Sequence, residues 1–338
     1  MLISGTFTDL KTAGNGGRVN NTCAQVVGNN TMTVPCDLIF TSDAAGANLL
    51  SWEFESYNGA TGAVNVWVNV PALSGGSVVY GWYGNSAVGT LQTTASGTWG
   101  SNFQGVYHLG EAPNGIAPQM NDSTVGGENG TTNGGMPAGQ QVSGEIGGGL
   151  NFSGGSYYVT LANGGNFGFE RTDAFSVSVW FKSATTTPGA LVSKFNAGTN
   201  TGWGLHLFGG LTPAFYVANK GTTNGIYVDL TSGVSAGAWH HVVATYNGSG
   251  VASGVHIYVD GVDRTLNVIS NTLSGSIINT AVAEINGSSG GGSLSAATLD
   301  EVRITAKGVV LGADWVATSY NNQSSPATFW TIATGITP

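Results

Sequence analysis

Charged residues are scarce in this chain. Only 8% of its 338 residues are Asp, Glu, Lys or Arg, compared with about a quarter in an ordinary soluble domain. The nine basic residues are outnumbered by 18 acidic ones, which gives a net charge of -9. Because proteins bind nucleic acid through clusters of Lys and Arg, this composition argues against a nucleic-acid partner. Ser, Thr, Asn, Gln and Gly must cover most of the exposed surface.

Long apolar segments are also missing. The sequence has no run of about 18 apolar residues that could span a bilayer, so membrane insertion is not expected. Residues 1–5 lack the basic start, apolar core and cleavage site of a signal peptide. Secretion by the general route is therefore not encoded in this sequence, although a fragment or an internal start would explain the same absence.

Cysteine is limited to Cys23 and Cys36, which bracket a polar segment of residues 24–35. Their even number and the Asn and Gly content of the segment favour a disulfide that closes this loop. Two unrelated free thiols are the alternative. Metal binding by this pair is disfavoured, because neither a CxxC motif nor a nearby His accompanies it.

Glycine, by contrast, is abundant, with 55 residues spread along the chain without a collagen period. Together with a hydrophobic content of 41%, this composition indicates many short strands joined by tight turns. In the N-terminal third, strands are predicted at residues 37–42, 51–57, 63–70 and 78–83. The third of these strands has an apolar face formed by Val64, Val66, Val68 and Val70.

Two adjoining segments near the C-terminus, residues 239–246 and 255–261, are the most informative in the chain. Val255, Ile257 and Val259 alternate with His256 and Tyr258, as in a half-buried antiparallel strand. Together the two segments resemble a signature of the laminin G-like branch of the concanavalin A-like lectin/glucanase superfamily. Further segments at 148–154, 175–182 and 299–304 resemble the early, central and closing strands of the same fold. The resemblance covers roughly residues 106–308 and implies a jelly roll.

The N-terminal third carries a second resemblance, through residues 37–43, 53–58 and 79–85. These segments are similar to an uncharacterised β domain that often precedes a laminin G-like module in phage structural proteins and bacterial surface proteins. The joining segment in that arrangement resembles residues 99–109. This resemblance implies an architecture without a known chemical activity.

Both resemblances predict an all-β protein of two β-sandwich domains, the second a concanavalin A-like jelly roll. The domains are expected at residues 1–104 and 105–338. The Gly-rich stretch 110–149 is expected to be a loop or a flexible hairpin. One short helix is predicted at 312–321, and residues 328–333 are expected to form a strand that returns to pair with either domain.

Catalytic motifs are not found. Glu53 and Glu55 lie two apart on a predicted strand, and paired carboxylates are what a glycosidase requires, but the Glu-x-Asp-x-Glu pattern of jelly-roll glucanases has Tyr57 in its third position. A solvated strand face is the expected role of this pair. His240 and His241 point to opposite faces of their strand and cannot line one site, so His241 is expected to be structural.

A structural calcium site is a further expectation. Asp300 is predicted to share its face with Val302 and Ile304, where a buried carboxylate needs a compensating partner. The resemblance implies that calcium could be this partner, with Asp122 as a second ligand, since hard oxygen ligands suit that ion. The alternative is that Asp300 caps backbone N-H groups or pairs with Arg303 or Arg171.

Sugar binding would require exposed aromatic rings. The candidates for stacking are Trp203, Tyr216, Tyr227 and Trp180, with core packing as the alternative for each. Residue type alone does not indicate which of these four side chains would stack on a sugar.

Composition and resemblance together predict a non-enzymatic phage virion protein, a decoration or appendage, with a carbohydrate-binding role. Its expected partners are a glycan or cell-surface polysaccharide and other virion proteins or itself, and its expected location is the virion surface or the extracellular space. The alternatives are a bacterial surface adhesin, a glycoside hydrolase or lyase, and a purely architectural virion subunit. Strand addition at an edge or at residues 328–338 could mediate assembly.

Overall fold

The computed structural model describes residues 1–162 and 165–333, which fold into two compact units. Among the described residues, the first unit contains 1–26, 31–98 and 318–333, and the second contains 27–30, 99–162 and 165–317. The expected boundary near residue 104 is thus close to the observed one. The units differ from the expected domains in that residues 318–333 belong to the first unit.

Eight short strands build the first unit. They are β1 (Leu2–Thr6), β2 (Thr22–Val27), β3 (Asn30–Pro35), β4 (Ile39–Thr41), β5 (Leu49–Leu50), β6 (Trp52–Asn58), β7 (Ala63–Val68) and β8 (Tyr80–Trp82). They form two three-stranded antiparallel sheets, β1-β7-β6 and β5-β4-β8, and a β2-β3 hairpin. The four strands predicted in the N-terminal third correspond to β4, β6, β7 and β8.

Alternating valines of β7 fill the core of the first unit. Val64, Val66 and Val68 are at most 3% exposed and pack in one cluster with Trp52 and Phe54 of β6. Period-two alternation therefore identified this face correctly. The predicted disulfide is also confirmed: Cys23 and Cys36 are bonded, with their Cα atoms 5.3 Å apart.

Sixteen strands build the second unit. They are β9 (Phe103–Tyr107), β10 (Gly130–Asn133), β11 (Gln141–Ser143), β12 (Gly148–Asn151), β13 (Tyr158–Leu161), β14 (Phe175–Lys182), β15 (Gly189–Asn196), β16 (Thr201–Phe208), β17 (Thr212–Lys220), β18 (Asn224–Leu230), β19 (Trp239–Tyr246), β20 (Val255–Val259), β21 (Val262–Asp263), β22 (Leu266–Asn271), β23 (Glu284–Ile285) and β24 (Thr298–Thr305).

These strands form two large antiparallel sheets. The first, called here the front sheet, has the order β10-β13-β23-β15-β16-β17-β18-β22. The second, the back sheet, has the order β11-β12-β24-β14-β19-β20-β21, with β9 paired to β24. Core side chains from both sheets, such as Val177 and Val179 of β14 and Leu205 and Phe215 of the front sheet, form one cluster. The expectation of a β-sandwich jelly roll is confirmed.

Helices are few and short: α1 (Ala95–Trp99), α2 (Ala313–Ser324) and α3 (Pro326–Phe329). The helix predicted at 312–321 is α2. The strand predicted at 328–333 is wrong, because α3 begins with Pro326, a residue favoured in the first turn of a helix, and residues 330–333 form no strand. None of the helices in residues 1–162 and 165–333 has the length and apolar character needed to cross a membrane.

Candidate functional site

One row of residues crosses the front sheet from edge to edge. Its members are in register from strand to strand: Thr131, Thr160, Glu284, Ser193, Gly204, Tyr216, Tyr227 and Ser270. Directly opposed residues of antiparallel strands lie on the same face. Their sequence neighbours Leu205, Phe215 and Ile226 are in the core, so this outer row lies on the face that points away from the core.

Two tyrosines of the outer row form a compact aromatic group with Phe195, which lies two positions after Ser193 on the same face of β15. Tyr216 and Tyr227 are stacked with centroids 5.0 Å apart and planes inclined by 15°, and Phe195 of β15 meets Tyr216 edge-on at 5.0 Å. Tyr216 is only 4% exposed, whereas Tyr227 and Phe195 are partly exposed. Tyr216 therefore supports a surface that Tyr227 and Phe195 present to solvent.

A glycine makes room for the Tyr216 ring. A Cβ atom on Gly204 would lie 2.5 Å from Tyr216 Oη and 2.9 Å from His206 Nε2, so the ring end occupies the space above β16 that any side chain would fill. There the Tyr216 hydroxyl is hydrogen-bonded to His206 Nε2 at 2.8 Å. Burial lowers the pKa of His206 to about 3, so this imidazole is neutral at physiological pH.

Two carboxylates lie on the same face with different roles. Glu284 is fully buried and accepts the N-H groups of Gly290 at 2.6 Å and Gly291 at 3.1 Å; burial raises the pKa of this carboxyl group. Asp229 lies two residues beyond Tyr227 on β18 and is partly exposed. Its Oδ1 atom is buried without a hydrogen-bond partner among the described residues. Asp229 is thus an acceptor with unused capacity beside the aromatic group.

The structure separates the four candidates for sugar stacking. Tyr216 and Tyr227 are brought together, but Trp203 is 1% exposed and donates its Nε1-H to the Phe167 carbonyl in the core at 3.0 Å. Trp180, also 1% exposed, lies in the back sheet with its ring 5.1 Å from that of His241. Neither tryptophan offers a face to solvent, which corrects the expectation for both.

Four residues of the site escaped the sequence reasoning: Phe195, His206, Asp229 and Glu284. A signal for two of them was present, because His206 follows Gly204 and Asp229 follows Tyr227 by two positions, the spacing of neighbours on one strand face. Phe195 had no such signal. It reaches Tyr216 only through the pairing of β15, β16 and β17.

Asp122 is not available as a calcium ligand. Its Oδ1 accepts the N-H groups of Val106 and Thr124 at 3.0 and 2.9 Å, and its Oδ2 accepts the Thr124 hydroxyl at 2.8 Å and the Glu128 N-H at 2.9 Å. A carboxylate has about four acceptor positions, and all are used. Asp122 therefore holds its loop together, which corrects its assignment as a metal ligand.

Asp300 lies on the opposite face from the one expected. The pairing of β24 with β14 shifts between Ser178 and Trp180, and Glu301 at this bulge has a left-handed φ of 50°. The extra residue places Asp300 in register with Trp180 on the outer side, while Val302 and Ile304 remain in the core. Asp300 accepts the Ile146 N-H at 2.9 Å, in agreement with the alternative that this carboxylate caps backbone N-H groups.

Arg303, considered as a partner for Asp300, instead bonds Glu301. Its Nη2 donates to Glu301 Oε2 at 2.6 Å, and His108 Nδ1 lies 2.5 Å from Glu301 Oε1. Burial by itself would raise the pKa of Glu301, but the adjacent His108 and Arg303 outweigh burial and lower it. Glu301 is therefore the anionic centre of a buried polar cluster in the second unit.

The Glu53 and Glu55 pair does not form a solvated strand face. Glu53 is 2% exposed, and the pairing of β6 with β7 shifts between Phe54 and Ser56, which puts Glu55 at a bulge. Glu55 Oε2 accepts the indole N-H of Trp67 at 2.9 Å. Glu53 is paired with Trp67 and Glu55 bonds the same residue, so the two carboxylates share a side as predicted, but Glu53 and Trp67 are buried there rather than solvated.

A chain of hydrogen bonds links Ser235, His240 and Asp260. Ser235 Oγ lies 2.9 Å from His240 Nε2, and His240 Nδ1 lies 2.8 Å from Asp260 Oδ2. This resembles a nucleophile, base and orienting acid. However, Nε2 also lies 3.1 Å from the Ser235 carbonyl oxygen, and the hydrogen bond to Asp260 raises the pKa of His240. A carbonyl oxygen can only accept, so Nε2 donates in this contact and is not available as a base toward Ser235; His240 instead holds the loop in place.

Comparison with known proteins agrees with the fold. Residues 153–317 match the family model of the concanavalin A-like lectin/glucanases superfamily, in its laminin G type. The predicted resemblance is confirmed where the two ranges overlap, and this part of the chain matches a concanavalin A-like module. The resemblance of the N-terminal third stays a prediction. A search of curated proteins gives no match.

Several solved structures are similar at low identity. The binding domain of Paraclostridial Mosquitocidal Protein 1 is 16% identical with a TM-score of 0.47, covering 65% of this chain and 52% of that one. The binding domain of botulinum neurotoxin serotype G is 16% identical with a TM-score of 0.46, covering 66% and 52%. The binding domain of botulinum neurotoxin DC, solved with rat synaptotagmin II, gives 16%, 0.44, 64% and 51%. This chain spans about half the length of these structures.

Proposed function

We propose that this protein is a non-enzymatic carbohydrate-binding component and that its glycan site is the outer row around Tyr216 and Tyr227. The observation that carries the proposal is the stacked tyrosine pair, held on a sheet face with its second ring partly exposed. Sugars present apolar C-H faces, and amphipathic aromatic rings such as Tyr bind surfaces of that kind while offering a polar tip. The pair therefore provides both the contact area and the orientation.

The site is ordered before a ligand arrives. Tyr216 is fixed by its stack on Tyr227, its edge contact with Phe195 and its hydrogen bond to His206. Because side chains that are already immobilised lose little entropy on binding, such a surface favours affinity. Asp229 adds an acceptor for sugar hydroxyls beside the rings.

The proposed setting is a phage virion surface or the extracellular space, where the protein would contact a host or surface glycan and other virion subunits. The low charge and the disulfide support an exposed, oxidising environment. A bacterial adhesin and an architectural virion subunit are the alternatives. A hydrolase or lyase is disfavoured because the buried carboxylate of the row, Glu284, is occupied by two backbone N-H groups.

A glycan-array screen of the whole chain, followed by titration of the hits, tests the proposal. Tyr227→Ala should weaken binding by at least about tenfold, the loss of roughly 1.4 kcal/mol. Tyr83→Ala removes an exposed ring of the first unit and should leave affinity unchanged. Failure of the wild-type chain to bind any glycan would favour the architectural alternative.

The same screen also tests the hydrolase alternative and the involvement of calcium. Reducing-sugar release from the bound glycans should not occur, and its detection would favour the hydrolase alternative. Binding should survive a chelator, because the oxygens of Asp122 are already engaged. Loss of binding on chelation would show that calcium takes part.

A further inference from the structure

The front sheet has an uneven distribution of charge. Its eight strands contain two acidic residues, Asp229 and Glu284, two lysines, and one histidine. Both carboxylates are on the outer face, since Glu284 belongs to the outer row and Asp229 follows Tyr227 by two positions. The outer row itself contains no basic residue.

The potential cations are elsewhere. Lys194 is in register with the core residue Trp203, is 4% exposed and donates its ammonium group to the Ala281 carbonyl. Lys220 ends β17 four positions beyond Tyr216, about 13 Å along the strand. His206 is neutral because burial lowers its pKa to about 3.

The loops at the ends of the central strands do not change this balance. Residues 197–200, 209–211 and 221–223, which join β15 to β18 in succession, contain no charged side chain. Arg264 precedes β22, but it lines a separate groove of about 450 Å³ with His256 and Asp263. A ligand on the tyrosine pair thus lies beside the Asp229 carboxylate, and the described strands and loops named above place no cation next to it.

We propose that the outer row selects uncharged or amino-bearing saccharides and discriminates against acidic ones, with Asp229 as the specificity-determining residue. This inference rests on the proposed function and names its ligand class. A uronate, sialate or sulfate group would lose water without gaining a positive partner and would be repelled by the Asp229 carboxylate. Hydroxyl and ammonium groups, in contrast, donate hydrogen bonds to a carboxylate.

Asp229 is suited to this role by its partial exposure on the same strand face as Tyr227. Its Oδ1 atom is out of contact with water and lacks a donor among the described residues, a state that costs free energy until a donor is supplied. The side chain is nevertheless partly exposed, so a ligand stacked on Tyr227 can reach the carboxylate. A donor from the ligand would add a hydrogen bond to the exposed part of this carboxylate, whereas an anionic ligand would be repelled by it.

The test compares affinities for three oligosaccharide classes of equal length: neutral, amino-bearing and uronic acid-containing. The wild-type chain should prefer the neutral and amino classes over the uronic class by at least about tenfold. High salt should reduce this preference, because ions screen exposed charges. Equal or tighter binding of the uronic class would overturn the inference while leaving the proposed function intact.

Substitution assigns the preference to one residue. Asp229→Asn keeps the shape of the side chain and removes its charge, so the ratio of neutral to uronic affinity should fall toward one. Asp314→Asn, at an exposed position of α2, should leave the ratio unchanged. An unchanged ratio in Asp229→Asn would overturn the role of this residue, and the ratio remains interpretable if the variant loses stability.

The two proposals fail in different ways. If no class binds, or if Tyr227→Ala does not weaken binding, the site itself is wrong and the inference falls with it. If the chain binds through Tyr227 without distinguishing charge, only the inference is wrong.

Discussion

Adjacent histidines on β19 have opposite electrostatic environments. His240 faces Phe181 and is hydrogen-bonded to Asp260, which raises its pKa. His241 faces Trp180 and is 2% exposed. Burial, reinforced by the positive charge of Arg303, lowers the pKa of His241 to about 3. Two adjacent residues of one strand thus differ in protonation: the environment of His240 favours the protonated imidazole, and that of His241 disfavours it.

His241 should make the stability of the second unit dependent on pH. Its folded pKa of about 3 is below its unfolded value near 6.5, so between these values the unfolded state binds more protons and stability falls as the pH is lowered. At pH 5 the loss from this residue is about 2 kcal/mol. Urea unfolding at pH 7.5 and pH 5 measures it, and His241→Gln should show a smaller difference between the two pH values than the wild-type chain. An identical difference in both proteins would contradict this assignment.

At the scale of strands, the register of strand pairing brings the residues of the candidate site together. Its members come from strands spread over residues 130–285, and their alignment depends on continuous pairing across eight strands. Bulges change the outcome locally. The bulge at Glu301 reverses the face that alternation predicts for Asp300, because one extra residue shifts the side chains beyond it by one position.

Gly204 is the position where packing between strands can be tested. In Gly204→Ala the new Cβ would lie 2.5 Å from Tyr216 Oη, so the Tyr216 ring must move and lose its hydrogen bond to His206. We expect glycan affinity to fall about tenfold and the fold to persist. Gly209→Ala is the control, because its Cβ would meet nothing within 4 Å. Affinity equal to wild type in Gly204→Ala would show that the Tyr216 position is not required.

At the scale of the whole molecule, the two units are interleaved in sequence. The first unit begins at Met1 and is completed by the chain from Thr318. Asn322 of α2 connects these ends: its Oδ1 accepts the Leu2 N-H at 2.6 Å, and its Nδ2 donates to the Leu2 carbonyl at 2.9 Å. The two backbone groups of Leu2 thus depend on a side chain 320 positions away.

Loss of Asn322 should therefore destabilise the first unit. Asn322→Ala leaves the buried N-H and C=O groups of Leu2 without this partner, and unpaired buried groups cost about 1–3 kcal/mol. Asn321→Ala, at the exposed neighbouring position, should change stability by less than about 0.5 kcal/mol. Urea unfolding combined with limited proteolysis of the first unit measures both. Equal stability of the two variants would rule out this connection.

The sequence alone determined those features that depend on local pattern. The all-β class, the β19 and β20 pair, the apolar face of β7, helix α2 and the disulfide between Cys23 and Cys36 were all predicted, because alternation, turn residues and cysteine spacing act over a few residues. The tertiary structure decided which aromatic side chains reach solvent, placing Tyr227 at the surface and Trp203 in the core. It also decided where a bulge reverses a face and that residues 318–333 belong to the first unit. These outcomes depend on pairing between distant segments, and no local pattern contains that information.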